Sequence, residues 1–302
     1  MSVPSQVTKF GHVAIIGRPN AGKSTLMNAI LGAHLSIVTP KPQTTRKRVL
    51  GIYTDEEAQL VFFDTPGLLK PQYAMQRAMM GYVDESLAEA EIIVVIVDTV
   101  KAVERGTIID PMIATMLKRH KRPTVLALNK MDAVKIRKEA LPLIEEARAS
   151  GLFAKAIAIS ARDETYVDDL VAMLKDLAPE GHALYDADAL STQPERFFVA
   201  ELVREVVFKR FEDEIPYATE VDIVEFKERE GGKWYVAADI IVERDTQKGI
   251  LIGAKGAALK SVGEEARAAI EEHLQHPIYL ELFVKVRGAW RNDRTQLASF
   301  GY

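Results

Sequence analysis

The 302-residue chain contains no cysteine. That excludes disulfides, thiolate metal centres and cysteine nucleophiles, and leaves the redox compartment open. Long hydrophobic runs are also missing. The longest, residues 92–97, has six members, against the roughly 20 that a helix needs to cross a bilayer. Residues 1–10 lack the apolar stretch of a secretory signal. A soluble, cytoplasmic protein is the expectation. Neither charge sign dominates: 39 basic against 43 acidic side chains leave a net charge of −4, so no global signal points to nucleic acid. The six histidines, at 12, 34, 120, 182, 273 and 276, show no paired ligand spacing. What is present is ordinary for a globular chain with a sizeable core, 48% hydrophobic and 27% charged. The length suggests two domains.

Five short apolar runs punctuate the first part, at residues 13–16, 60–63, 92–97, 124–128 and 156–159. Each ends in a polar or glycine-containing turn, and most are separated by helix-length stretches. This is the rhythm of an α/β domain with a doubly wound, mostly parallel sheet buried on both faces. Such sheets bind ligands at the carboxyl ends of their strands. The pattern predicts a first domain over 1–178, a linker over 179–195 opened by Pro179-Glu180-Gly181, and a second domain over 196–302. The second domain reads as α+β, in the order helix, strand, strand, helix, strand. Its helix at 197–211 carries Val199, Val203, Val206 and Val207, and its strands lie at 221–226, 234–242 and 278–286. Gly231-Gly232 predicts a tight hairpin between the first two strands.

Chemistry is concentrated just after the first-domain runs. Gly17-Arg18-Pro19-Asn20-Ala21-Gly22-Lys23-Ser24 fits G-x-x-x-x-G-K-[ST] after a strand and before a helical segment that opens with Thr25. Its backbone N–H groups and the helix N-terminus face phosphates, Lys23 adds a cation, and Ser24 offers a hydroxyl to Mg²⁺. Asp64-Thr65-Pro66-Gly67 follows the second run. Asp64 can hold Mg²⁺ through a water, and Gly67 lets the backbone approach a γ-phosphate. Asn129-Lys130-Met131-Asp132 follows the fourth run. Asp132 can accept both donors of the guanine edge, which adenine lacks, so ATP is rejected. Ser160-Ala161-Arg162, after the last run, completes the base pocket. These four segments in this order predict GTP or GDP with Mg²⁺ as cofactors.

Phosphoryl transfer then needs positioning and charge stabilisation. Lys23 supplies charge, and a threonine of the basic segment Gln43-Thr44-Thr45-Arg46 joins the Mg²⁺ shell when a γ-phosphate is present. Thr45 is favoured, with Thr44 as the alternative. The position after Asp-x-x-Gly, where many GTPases carry a water-orienting glutamine, is Leu68. Leucine cannot orient water by hydrogen bonding, so hydrolysis is expected to be slow or to use another group.

The P-loop, residues 43–46, Asp64 to Gly67 followed by Leu68, and Asn129 to Asp132 together resemble the Era family of bacterial GTPases, and the likeness extends through the second domain. The resemblance implies a type II KH domain there. It further implies binding to the 3′ end of small-subunit ribosomal RNA, a part in assembly of the small ribosomal subunit, and peripheral association with the inner membrane face. Related GTPases with an asparagine at the position of Asn20 ligate potassium there, which makes K⁺ a candidate cation and Asn20 a candidate catalytic residue. No DNA partner is implied, and a monomer is expected.

The loop Gly253-Ala254-Lys255-Gly256 carries the nucleic-acid reading independently. A G-x-x-G turn between helices lets an RNA backbone approach, with a helix N-terminus and lysines meeting phosphates. Lys248 and Lys260 flank it, with no acid between residues 246 and 263. The stretch 181–302 as a whole carries 16 basic and 22 acidic residues. Local basic patches on an acidic body favour a short, specific RNA segment over non-specific backbone binding. A second reading, a signalling GTPase whose C-terminal module docks on a protein or membrane surface, differs from the first only at this loop.

Overall fold

The computed structural model describes residues 7–135 and 137–302. Two compact units emerge. The first comprises the chain up to Ser36, Thr45–Lys70 and Met79–Thr192; the second comprises Ile37–Thr44, Pro71–Ala78 and Gln193–Tyr302.

The first unit holds a six-stranded sheet of β1 (Lys9–Ile16), β2 (Val49–Thr54), β3 (Ala58–Asp64), β4 (Ile92–Asp98), β5 (Thr124–Asn129) and β6 (Lys155–Ala158), in the order β2-β3-β1-β4-β5-β6. Only β2 is antiparallel to its neighbour among these pairings. All seven residues of β3 and of β4 are buried, because helices cover both faces: α1 (Lys23–Leu31), most of α2 (Ala74–Glu89), α3 (Thr99–Arg105), α4 (Pro111–His120), α5 (Leu141–Ser150) and α6 (Val167–Leu177). The order turns back at β1, so its carboxyl end opens a crevice with those of β3, β4 and β5.

Strand β2 has no counterpart among the five apolar runs. Gly51 interrupts its apolar sequence, and the structure explains the glycine: a Cβ there would lie 2.4 Å from Leu31 Cδ1 of α1. The turn into β3 is set by Asp55, whose Oδ1 accepts from Glu57 N (2.9 Å) and Ala58 N (2.8 Å). Residues 179–192, which read as a linker, are tied down instead. Phe10 N donates to Pro179 O, and Ile52 N to Leu190 O (2.8 Å). The buried Gln59 side chain accepts from Leu184 N and Tyr185 N and donates to Tyr185 O.

The second unit is built from α7 (Glu195–Arg210), α8 (Ile215–Ala218), β7 (Glu220–Lys227), β8 (Trp234–Val242), α9 (Asp245–Ile252), α10 (Ala257–Leu274), β9 (Ile278–Val286) and α11 (Arg294–Ser299). Its sheet runs β7-β8-β9, with β8 and β9 parallel. Alternate residues Val236, Ala238, Ile240 and Val242 of β8 face Val199, Val203 and Val207 of α7 and the Val262, Ala266, Ile270 stripe of α10 in one core. The tight hairpin expected at Gly231-Gly232 is not formed. Lys227 and Trp234 bound a six-residue loop in which only Gly231 takes positive φ, 68°. Two adjacent glycines supplied flexibility, while the register was set by cross-strand packing and a bulge between Ile223 and Glu225. Residues 37–44 join this unit through Lys41, whose Nζ donates to Phe208 O (2.7 Å).

Candidate functional site

The glycines of the first motif are required by close neighbours. A Cβ on Gly17 would meet Ile96 O at 2.4 Å, and one on Gly22, at φ 101°, would meet Asn129 Nδ2 at 2.3 Å. Helix α1 starts at Lys23 with Thr25 in its first turn, and no side chain caps it, so its first N–H groups stay available to an anion. Lys23 is buried, and its Nζ folds back to Gly17 O (3.4 Å) and Arg18 O (3.3 Å). Burial pulls its pKa down to about 8, a shift that the charge of Asp64 partly offsets. Arg18 turns its guanidinium to Asp110 (Nε to Oδ2, 2.5 Å), the N-cap of α4. Burial alone would raise the Asp110 pKa, but Arg18 and the helix N–H groups outweigh it and hold it below the usual range. In this motif Arg18 contributes backbone to the loop and its side chain to scaffolding.

Three oxygens converge beside Lys23. Ser24 Oγ donates to Asp64 Oδ2 at 2.7 Å, Thr45 Oγ1 donates to the same oxygen at 3.3 Å, and the two hydroxyls are 2.9 Å apart. Burial pushes the Asp64 pKa up, against Lys23 and the surrounding hydroxyls. Thr44 is elsewhere: its hydroxyl donates to Lys41 O (2.8 Å) and lies 3.2 Å from Thr39 Oγ1. The geometry therefore favours Thr45 of the two. The turn after Asp64 is strapped to the P-loop. Thr65 Oγ1 donates to Ile15 O, Leu68 N donates to Gly17 O, and a Cβ on Gly67 would lie 2.8 Å from Pro19 Cα. Pro66 is buried between them. The Leu68 side chain packs fully buried among Val83, Leu87 and Ile93.

Asn129 joins two loops: its Nδ2 donates to Ala21 O (2.8 Å) and its Oδ1 accepts from Ala161 N (2.9 Å). Lys130, at φ 66°, donates to Asn20 O and to Asp98 Oδ2, each at 2.7 Å. Met131 opens a short 3₁₀ turn that carries Asp132. Asp132 Oδ1 accepts from Ser160 Oγ (2.7 Å), and Oδ2 pairs with the mostly exposed Arg162 (2.8 Å). A 280 Å³ cavity lined in part by Met131, Asp132, Ile159, Ser160 and Tyr166 adjoins this pair. Sequence reasoning missed Asp98, which caps α3 and holds Lys130. Its signal was available: like Asp64, it is a carboxylate closing a fully buried strand.

In the second unit, α9 ends at Ile252 and α10 begins at Ala257, and the four residues between form the G-x-x-G turn. Gly253 (φ 71°), Lys255 (51°) and Gly256 (80°) all take positive φ. A Cβ on Gly253 would lie 2.7 Å from Ala258 Cβ, whereas Gly256 is open. Ala254 and Lys255 are exposed, as is Lys260, and Lys248 is half-buried. The turn borders a 370 Å³ groove between α10 and β9, with Leu259, Gly263, Leu280 and Leu282 on its apolar side and Lys233, Lys260 and Arg267 at its polar one. Apart from Gly256 and Lys260, the sequence did not single out this lining, since α10, β9 and the loop before β8 meet only in the fold.

Residues 12–130 match the family of 50S ribosome-binding GTPases, and residues 214–291 match the KH domain. GTPase Era of Lacticaseibacillus paracasei is 44% identical over 292 residues, covering 97% of this chain and 96% of the relative. GTPase Era of Geotalea daltonii is 44% identical over 296 residues, covering 97% of both. Among solved structures, Era in complex with MgGDPNP and nucleotides 1506–1542 of 16S ribosomal RNA superposes with a TM-score of 0.91 at 35% identity, over 98% of this chain and 99% of that one. A variant of Aquifex aeolicus Era bound to GDP·AlF₄⁻ gives 0.91 at 36% identity, over 97% and 99%. With both segments matched and the likeness spanning nearly its full length, the chain belongs to the Era family of GTPases.

Proposed function

We propose that the chain hydrolyses GTP with Mg²⁺, binds the 3′ end of small-subunit ribosomal RNA through its KH loop, and acts as a nucleotide-gated factor in assembly of the small ribosomal subunit. The observation that carries the nucleotide part is the meeting of Ser24, Thr45 and Asp64 oxygens at an uncapped helix N-terminus beside a buried lysine. The donors fit a hard cation: two hydroxyls and a carboxylate whose Oδ1 is buried without a hydrogen-bond partner. Bound there, Mg²⁺ would supply charge against the β- and γ-phosphates.

The chain's own groups do the rest. The backbone N–H groups within residues 17–25, Pro19 having none, cradle phosphate, with Lys23 as their cation. Thr45 senses the γ-phosphate through its hydroxyl, and Gly67 gives it backbone access. Asn129 fixes the base loop to the P-loop, Lys130 braces Asn20, and Asp132 reads guanine beside Ser160, Ala161 and Arg162. Leu68, being in the core, leaves water positioning to other groups, and Asn20 with K⁺ is the proposed source of that charge.

For RNA, Gly253, Ala254, Lys255 and Gly256 meet the backbone, Lys248 and Lys260 add charge, and the neighbouring groove seats bases. The domain limits read from the sequence, 1–178 and 196–302, belong to the proposal, as do the cytoplasmic location and monomeric state, and the peripheral contact with the inner membrane face, which rests on the resemblance alone. The test is a binding titration of the full chain with a labelled oligonucleotide copying the 3′ end of small-subunit ribosomal RNA, with GDPNP and Mg²⁺ present. Tight binding to it over a scrambled oligonucleotide is expected. Equal, weak binding of both would favour the docking-module reading.

A further inference from the structure

The sheet of the second unit has two faces, and the core occupies one of them. Val221 and Ile223 of β7, Val236, Ala238 and Ile240 of β8, and Ile278 and Val284 of β9 belong to that core, so the residues alternating with them point the other way. On this outer face two rings of β9 reach solvent, Tyr279 at 53% exposure and Phe283 at 47%. Tyr279 stacks on Tyr235 of β8, with ring centroids 6.1 Å apart. Cations of the chain itself already lie on the rings of this face. The Arg229 guanidinium is 5.4 Å from the Tyr235 centroid, and Lys285 Nζ is 5.6 Å from that of Phe283.

Carboxylates stand among these rings. Asp222 of β7 and Asp239 of β8 are directly opposite in the antiparallel register, and Asp239 is level with Phe283 in the parallel one. Both are half-buried. Glu281 and Glu225 on the same face are engaged, the first accepting from Tyr235 Oη (2.7 Å) and the second paired with Lys227. The side chains of Asp222 and Asp239 have no ion pair or hydrogen bond among the described residues. Like charges directly opposite on neighbouring strands destabilise a sheet, and no cation of the fold offsets this pair. We propose that the outer face is a docking surface for an arginine-rich segment of another protein, a guanidinium bridging Asp222 and Asp239 against the Phe283 ring. Arginine suits both features at once, because its plane stacks on a ring while its N–H fork reaches a carboxylate. Charge selects this occupant. RNA or a lipid headgroup would bring phosphates against the carboxylates, and a second copy would bring an acidic surface, since residues 181–302 carry 22 acids against 16 bases. Tyr279 also borders the groove beside the G-x-x-G turn, so the test leaves it unchanged.

The test is fluorescence anisotropy of the full-length chain with a labelled peptide of alternating arginine and glycine, beside a control peptide with glutamine in place of arginine. The parent is expected to bind the arginine peptide in preference to the control; equal binding of the two would overturn the proposal. Asp222→Asn with Asp239→Asn should weaken arginine-peptide binding about 10-fold or more, and Phe283→Ala about 3-fold. Unchanged affinity in the double variant would also overturn it. That variant should melt no lower than the parent, because a like-charge pair is gone; a lower melting temperature would make the carboxylates part of the fold and count against the proposal. Asp84→Asn with Glu85→Gln, at exposed positions of α2, removes the same charge elsewhere and should leave binding as it is. An equal loss there would mean attraction by net charge alone, and the proposal would fall. So it would if labelled oligouridylate bound more tightly than the arginine peptide and lost its affinity with Phe283→Ala, which would make the face an RNA platform.

Discussion

At Asp132 each carboxylate oxygen already holds one partner, Ser160 on Oδ1 and Arg162 on Oδ2, and each retains a lone pair for a base donor. Asp132→Asn replaces one acceptor with a donor. GTP affinity is expected to fall by about 100-fold or more, while xanthosine nucleotide, whose 2-oxo group suits an amide donor, binds better. Unchanged GTP affinity in a competition assay would remove Asp132 from its role. Lys23 makes a pH prediction. Its pKa of about 8 lies below the ordinary 10.5, so burying this cation costs stability below pH 8, and the cost fades between 8 and 10.5. Phosphate at the loop favours the charged form and restores it. GDP binding should therefore take up close to one proton near pH 9 and almost none at pH 6.5, read by calorimetry in buffers of different ionisation enthalpy. Asn20 carries a third prediction. Hydrolysis is expected to run faster in K⁺ than in Na⁺ at equal ionic strength, and Asn20→Ala should erase the difference; equal rates in the parent would defeat the idea.

Between elements, the Asp64–Gly67 turn crosses the P-loop closely. Gly67→Ala would bring a Cβ within 2.8 Å of Pro19 Cα and Cγ, and because backbone atoms are involved the loop must give way. A loss of about 1–3 kcal/mol in stability with weakened nucleotide binding is expected, measured by denaturant unfolding and GDP titration. A variant as stable and as tight as the parent would mean that the turn swings clear of the loop. Asn129 works at the same scale. Its motif was legible because its residues are consecutive after β5, and the tie it makes between Ala21 and Ala161 follows from two loops meeting at neighbouring strand ends. Asp98 was legible as the carboxylate that closes β4, but its pairing with Lys130 was not, because Lys130 stands 32 residues away on another loop.

Across the whole molecule, the groups proposed for nucleotide and for RNA fall on different stretches of chain, so each can be tested alone. Ala254→Asp with Lys255→Asp keeps both glycines and alters two exposed positions. Aspartate tolerates the left-handed backbone at 255. RNA binding should collapse and the salt dependence of any residue should flatten, with GTP affinity unchanged. Parental RNA affinity in the folded double variant would make the turn a mere helix connector. Residues 284–302 carry Lys285, Arg287, Arg291 and Arg294 against Asp293, but Arg291 is bound to Glu243 and stacked on Tyr73, and Arg287 lies over Phe300.

The nucleotide chemistry and both fold classes could be read from the sequence alone. Phosphate is gripped by consecutive amides, a base by consecutive side chains, and a buried parallel strand by a continuous apolar run, so each signal is local in the chain. Only the tertiary structure decided that β2 forms against β3 across Gly51, that residues 179–192 are tied along the first unit, and that Leu68 sits in the core. It alone brought the Thr45 hydroxyl to Ser24 and Asp64 while turning that of Thr44 to Lys41, and opened the groove beside the KH loop. Each of these depends on which distant residues share a few ångströms, and that is settled by packing and by the pairing of buried polar groups, which no short stretch of sequence contains.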